Sequence, residues 1–76
     1  MAEMRDLAIE GMRMRADGKR PEEIRLFIFR GVSALALEKG TQVVEVGDDR
    51  SWDMRLVSTG QIIAFSEKDG YSYRPR

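Results

Sequence analysis

Residues 23–40 read EIRLFIFRGVSALALEKG, and how they are read decides the fold. The run LFIF alone would suit a buried strand, but the apolar pattern continues through GVSALAL for longer than an ordinary strand. Both ends carry helix signals. Pro21 suits a first helical turn, Glu22 and Glu23 complement the positive end of the dipole, and Gly40 follows Lys39 as a left-handed cap. A helix over 21–39 is predicted. On its wheel Ile24, Ile28, Gly31, Val32 and Leu35 form one stripe, and Leu26, Phe29, Ser33 and Leu37 form another on the far side. Phe27 and Ala34 lie between them. Both flanks need cover, and the small residues Gly31, Ser33, Ala34 and Ala36 let a neighbouring element come close to the backbone.

Upstream, Glu3, Asp6, Glu10, Arg13 and Asp17 recur at spacings of three and four, opposite Met4, Leu7, Ala8, Gly11, Met12 and Met14. This predicts a first, amphipathic helix over 3–17, capped by Gly18. Downstream of Gly40 the period drops to two. TQVVEV predicts a strand over about 41–46 and GDDRS a turn, and WDMRLVS alternates over 52–58, with Trp52, Met54 and Leu56 on one face and Asp53, Arg55 and Val57 on the other. Thr59-Gly60 fits a tight connection to a strand over 61–66, and EKDG turns the chain into a last strand over 71–74.

The fold class that follows is α+β: two N-terminal helices, then an antiparallel meander of three to four strands in one domain over 1–76, with the second helix packed on the sheet. The first helix is expected to lay its methionine-rich side across the remaining flank of the second. The surface around Leu26, Phe29, Ser33 and Leu37 is then the candidate self-association site, and it leaves a monomer and a homodimer equally open.

Composition excludes much of chemistry. The 13 basic and 13 acidic side chains give a formal net charge of zero, and neither half of the chain is a charged arm. No global field for nucleic acid or an anionic membrane follows. With no cysteine there is no disulfide, thiolate metal site or thiol nucleophile, and with no histidine the commonest general base and metal ligand are missing. No apolar run approaches a bilayer span, and acids are mixed through the N-terminal residues, so a cytoplasmic location is expected. Arginine outnumbers lysine 10 to 3 and asparagine is absent, a bias that suits GC-rich coding and a bacterial or phage origin.

Each candidate for chemistry has a plainer reading. Asp48, Asp49 and Asp53 cluster in and after a turn, but they match no calcium-loop spacing, and hairpin solvation accounts for the first two. No metal or other cofactor is expected. The five serines have no histidine to activate them, and Lys19, Lys39 and Lys68 fall at element ends, so no catalytic residue is assigned and no enzyme is expected. Arg15, Arg25 and Arg30 interrupt apolar arcs; their guanidiniums are expected to snorkel or meet Glu10, Glu22 or Glu38. The C-terminal YSYRPR puts Tyr71 and Tyr73 on one strand face beside Arg74 and Arg76, with Arg55 on a neighbouring strand. This mix could stack bases and touch phosphates, although two terminal tyrosines more simply close a core.

The functional expectation is a non-enzymatic regulator, adaptor or inhibitor that binds another protein. A phage or mobile-element inhibitor of a bacterial machine would suit its size and neutrality, as would a chromosomal accessory protein. The surface expected to carry binding is the outward sheet face and its turns. Asp48, Asp49, Asp53 and Arg55 would steer the partner, and Tyr71, Tyr73 and Arg74 would anchor it, tyrosine and arginine being the residue types that dominate interface energy. The alternative class is a sheet-based binder of RNA or single-stranded DNA. No membrane partner is expected.

Overall fold

The computed structural model describes residues 3–75. Two helices, α1 (Met4–Ala16) and α2 (Pro21–Lys39), precede four strands, β1 (Val43–Gly47), β2 (Ser51–Leu56), β3 (Ile62–Ser66) and β4 (Gly70–Arg74). The strands pair antiparallel in the order β1-β2-β3-β4, an α+β meander as the periodicity indicates. Pro21 opens α2, and Gly40, at φ 67°, closes it, with Thr41 N–H donating back to the Ala36 carbonyl at 2.8 Å. The β2–β3 connection is longer than a two-residue turn: Leu56 N–H donates to the Gln61 carbonyl at 3.0 Å around the loop that holds Thr59 and Gly60.

Strand register sorts the sheet into two faces. Trp52 lies opposite Phe65, Phe65 opposite Tyr71, and Met54 opposite Ile63, all facing the helices. These side chains join Ile24, Ile28, Val32 and Leu35 of α2 and Met4, Leu7 and Ala8 of α1 in one core. At ~25 cal/mol per Å² of apolar surface, burying each large side chain contributes roughly 1.5–3 kcal/mol. This core supplies most of the fold's driving force.

The helices do not sit as the sequence led us to expect. Instead of lying across the far flank of α2, α1 seats beside it on the same sheet face, over β3 and β4, while α2 covers β1 and β2. The molecule therefore has two layers, helices on one face of the sheet. Two close approaches explain the side-by-side packing: Leu7 seats on Gly31, where a Cβ would come within 2.5 Å of its Cδ2, and Ile28 seats on Gly11, where a Cβ would come within 2.9 Å of its Cδ1. The glycines let each helix receive the other's side chain. As a result the stripe Ile24, Ile28, Val32, Leu35 is buried, while Leu26 is 49 % exposed, Phe29 36 % and Leu37 85 %.

Candidate protein-binding surface

α2 descends from Pro21 to Lys39, and β1 runs back alongside it. Between them lie two adjoining hollows that share Phe29. One, of 330 Å³, is lined by Glu22, Arg25, Leu26, Phe29, Glu45 and Asp49. The other, of 410 Å³, is lined by Phe29, Ser33, Ala36, Leu37 and residues 41–43. Together they form an open channel whose roof is the bare stripe of α2 and whose floor is the inner side of β1.

At the upper end, Arg25 reaches across the channel. Its Nε donates to Glu45 Oε2 at 3.0 Å, its Nη1 to Asp49 Oδ1 at 3.0 Å, and its Nη2 to the Gly47 carbonyl at 3.4 Å. The Glu45 carboxylate, then the Asp49 carboxylate, hold the guanidinium pKa above its ordinary value. Neither partner is one of the acids expected for Arg25 from sequence. Glu45 sits opposite Met54 in the ladder, so its side chain points to the helix side of an edge strand, within reach of α2. Arg15 also differs from expectation: its guanidinium lies 5.6 Å from the Phe65 ring centroid and donates to the Glu67 carbonyl at 3.2 Å.

β1 itself is an edge. From Val44 to Gly47 every residue is exposed, whereas β2 alternates between exposed and buried. Val57 N–H donates to the Gln42 carbonyl at 3.0 Å and Asp48 N–H to the Ser51 carbonyl at 2.9 Å. An antiparallel ladder bonds alternate residues, so the even-numbered positions of β1 pair with β2. The N–H and C=O groups of Val43, Glu45 and Gly47 therefore face the open side, and among the described residues only the Gly47 carbonyl meets a side chain, that of Arg25.

The residues singled out from sequence fall in three places. Asp48 folds back on its own turn, its Oδ1 accepting from the Arg50 N–H at 2.8 Å and the Ser51 N–H at 3.1 Å, which holds its carboxyl below the usual range. Asp49 belongs to the channel through Arg25. Asp53, Arg55 and Arg74 lie on the outer sheet face, where Arg55 and Arg74 both stand opposite Ile62, on its two sides. Tyr71 must be withdrawn as a partner anchor. It is 6 % exposed and stacks on Phe65 at 4.5 Å, because its register sends it to the helix side. Tyr73 shares that inner face, half-buried, its hydroxyl accepting from Gln61 Nε2 at 2.9 Å. Leu26, Phe29, Ser33 and Leu37 do come together, as the channel roof.

Sequence reasoning sent Arg25 to solvent or to acids of the helices, and it passed over Glu45 and the open edge of β1. A usable signal was present: Glu45 interrupts VVEV at a position that alternation assigns to the core side, and the first strand of a meander is an edge strand. Among the described residues, no group of three or more acids is placed to hold a metal ion. Nor is any helix long and apolar enough to cross a membrane. Comparison with known protein families, curated protein sequences and solved structures finds no match to this chain.

Proposed function

We propose that this chain is a small cytoplasmic regulator, adaptor or inhibitor that works by binding another protein and performs no catalysis. The observation that carries the reading is the uncovered strip in which Leu26, Phe29 and Leu37 of α2 stand exposed beside the open edge of β1, where the main-chain groups of Val43, Glu45 and Gly47 face away from β2. Apolar side chains gathered beside unpaired backbone groups are suited to a protein partner, which supplies both kinds of complement. The neutral net charge and the lack of an aromatic side chain among the outward-facing residues of β1 to β4 weigh against nucleic acid as the partner. A second copy of the chain is another possible cover for the same strip, and it has a distinct signature, a doubled mass in light scattering.

The test is recovery of the tagged protein from its native host. A protein partner in fixed ratio is expected. It should resist nuclease treatment and be lost in a Phe29→Glu, Leu37→Glu double variant that keeps native circular dichroism. Both substitutions fall on exposed sites, so the fold should tolerate them. Recovery of nucleic acid in place of protein, or a protein partner indifferent to the double variant, would overturn the assignment.

A further inference from the structure

Resting on the protein-binding reading above, we propose that the partner enters as an extended segment that adds to β1 as a fifth strand, with a basic residue at the Glu45 end of the channel and apolar side chains under Phe29 and Leu37. Three features combine. The edge offers Val43, Glu45 and Gly47 with main-chain groups directed away from β2. An added strand would satisfy them, and every second side chain of that strand would project into the channel beneath α2. The opposite edge is less suited. There α1 packs on β4, Arg15 approaches Gly70, and Pro75, lacking an N–H, ends the strand.

The charge pattern selects the occupant. At the upper end Glu22, Glu45 and Asp49 share the hollow with Arg25. Arg20 reaches Glu22 only at 3.9 Å from an exposed position. Negative charge is thus in excess where the floor meets the open edge. An inward-directed charge on an edge strand keeps it from pairing indiscriminately. Glu45, so placed, rejects acidic strands and favours one with a lysine or arginine. A second copy of β1 does not meet this requirement: residues 40–49 contain no lysine or arginine and repeat Glu45, Asp48 and Asp49. The lower end, with Ser33, Ala36, Leu37 and Val43, carries no charge and suits apolar side chains.

A displayed library of random 12-residue peptides, selected on the full chain, tests this. Enrichment of alternating apolar sequences bearing one or two basic residues is expected. Amide exchange followed by NMR supplies the second measurement. Bound peptide should slow exchange at Val43, Glu45 and Gly47, while Val44 and Val46, already paired to β2, should change little. Glu45→Ala should abolish the preference for basic residues while keeping the edge protection. Glu45→Pro, which also removes the outward N–H, should weaken selected peptides by about a further tenfold, the value of one hydrogen bond. Selection of acidic peptides, protection elsewhere on the molecule, or a doubled mass that excludes peptide would overturn strand addition. The broader reading has its own test: a host protein released by Phe29→Glu, Leu37→Glu but not by Glu45→Pro would retain protein binding and discard the added strand.

Discussion

Arg25 and Glu45 form a 3.0 Å ion pair that joins α2 to the edge of the sheet, and both side chains are about three-quarters shielded from solvent, at 21 % and 27 % exposure. Partial shielding lifts such a pair above the ordinary surface bridge without giving it the full desolvation cost of a core pair. A double-mutant cycle with Arg25→Ala and Glu45→Ala is expected to yield a coupling energy of about 1 kcal/mol, read from urea unfolding. Raising salt should reduce it only modestly. The Arg25–Asp49 arm, whose carboxylate is 59 % exposed, should give less. A coupling near zero for Glu45 would mean that α2 and β1 are held by packing alone.

Gly47 has φ 114°, and a Cβ there would collide with the Ser51 carbonyl oxygen and come within 2.7 Å of the Trp52 Cα. The obstacles are backbone and cannot swing aside. Gly47→Ala is therefore expected to cost at least ~2 kcal/mol, combining the penalty of a positive φ with displacement of the β1–β2 turn. Trp52, the only tryptophan and 3 % exposed, reports the urea midpoint by fluorescence. A shift smaller than about 0.5 kcal/mol would show that the turn relaxes freely.

Tyr71 is buried, and its hydroxyl has no hydrogen-bond partner among the described residues. Burial, only partly offset by the positive charge of Arg15, raises its pKa above the ordinary 10.0. Above pH 10.0 the unfolded chain loses this proton first, while the folded chain retains it. The unfolded state then binds fewer protons, and stability falls as pH rises. Tyr71→Phe should remove that part of the alkaline slope. At neutral pH it should also be neutral or stabilising by about 1 kcal/mol, since a buried unpaired hydroxyl is replaced by hydrogen. Thermal unfolding of both proteins at pH 7 and pH 10.5 checks the two effects, and an unchanged alkaline slope in the variant would assign it to other groups.

The elements themselves were legible because each carries a local signal: Pro21 and Gly40 bracket α2, and the alternation of Trp52, Met54 and Leu56 fixes the face of β2. What sequence could not supply was the relation between elements. Tyr71 and Tyr73 share a face under any strand reading, but which face depends on pairing Phe65 with Tyr71, a contact whose direction is set by the register of β3. The seat of α1 depends on Leu7 meeting Gly31, two residues separated by a turn whose course no local pattern dictates. Arg25 was expected to find an acid within the helices because helical spacing offers nearby candidates. Its actual partners, Glu45 and Asp49, come within reach only once β1 folds back along α2.

The outer sheet face carries the remaining alternative, that the protein holds single-stranded nucleic acid. Arg55 and Arg74 stand on the two sides of Ile62, a spacing compatible with phosphate contacts, so the face has some cationic character. Affinity for a single strand, however, comes from a positive groove together with aromatic rings on which bases stack, and each stacked base contributes about 1–3 kcal/mol. Tyr71 and Tyr73 both project to the other side of the sheet, and Asp53 lies between the strand neighbours Val46 and Ala64 on the outer face, offsetting part of the arginine charge. Labelled single-stranded RNA and DNA titrated at two salt concentrations are therefore expected to show no binding at micromolar protein. An affinity that falls steeply with salt and is lost in an Arg55→Ala, Arg74→Ala double variant would reverse this expectation and move the functional surface from the channel under α2 to the opposite side of the sheet.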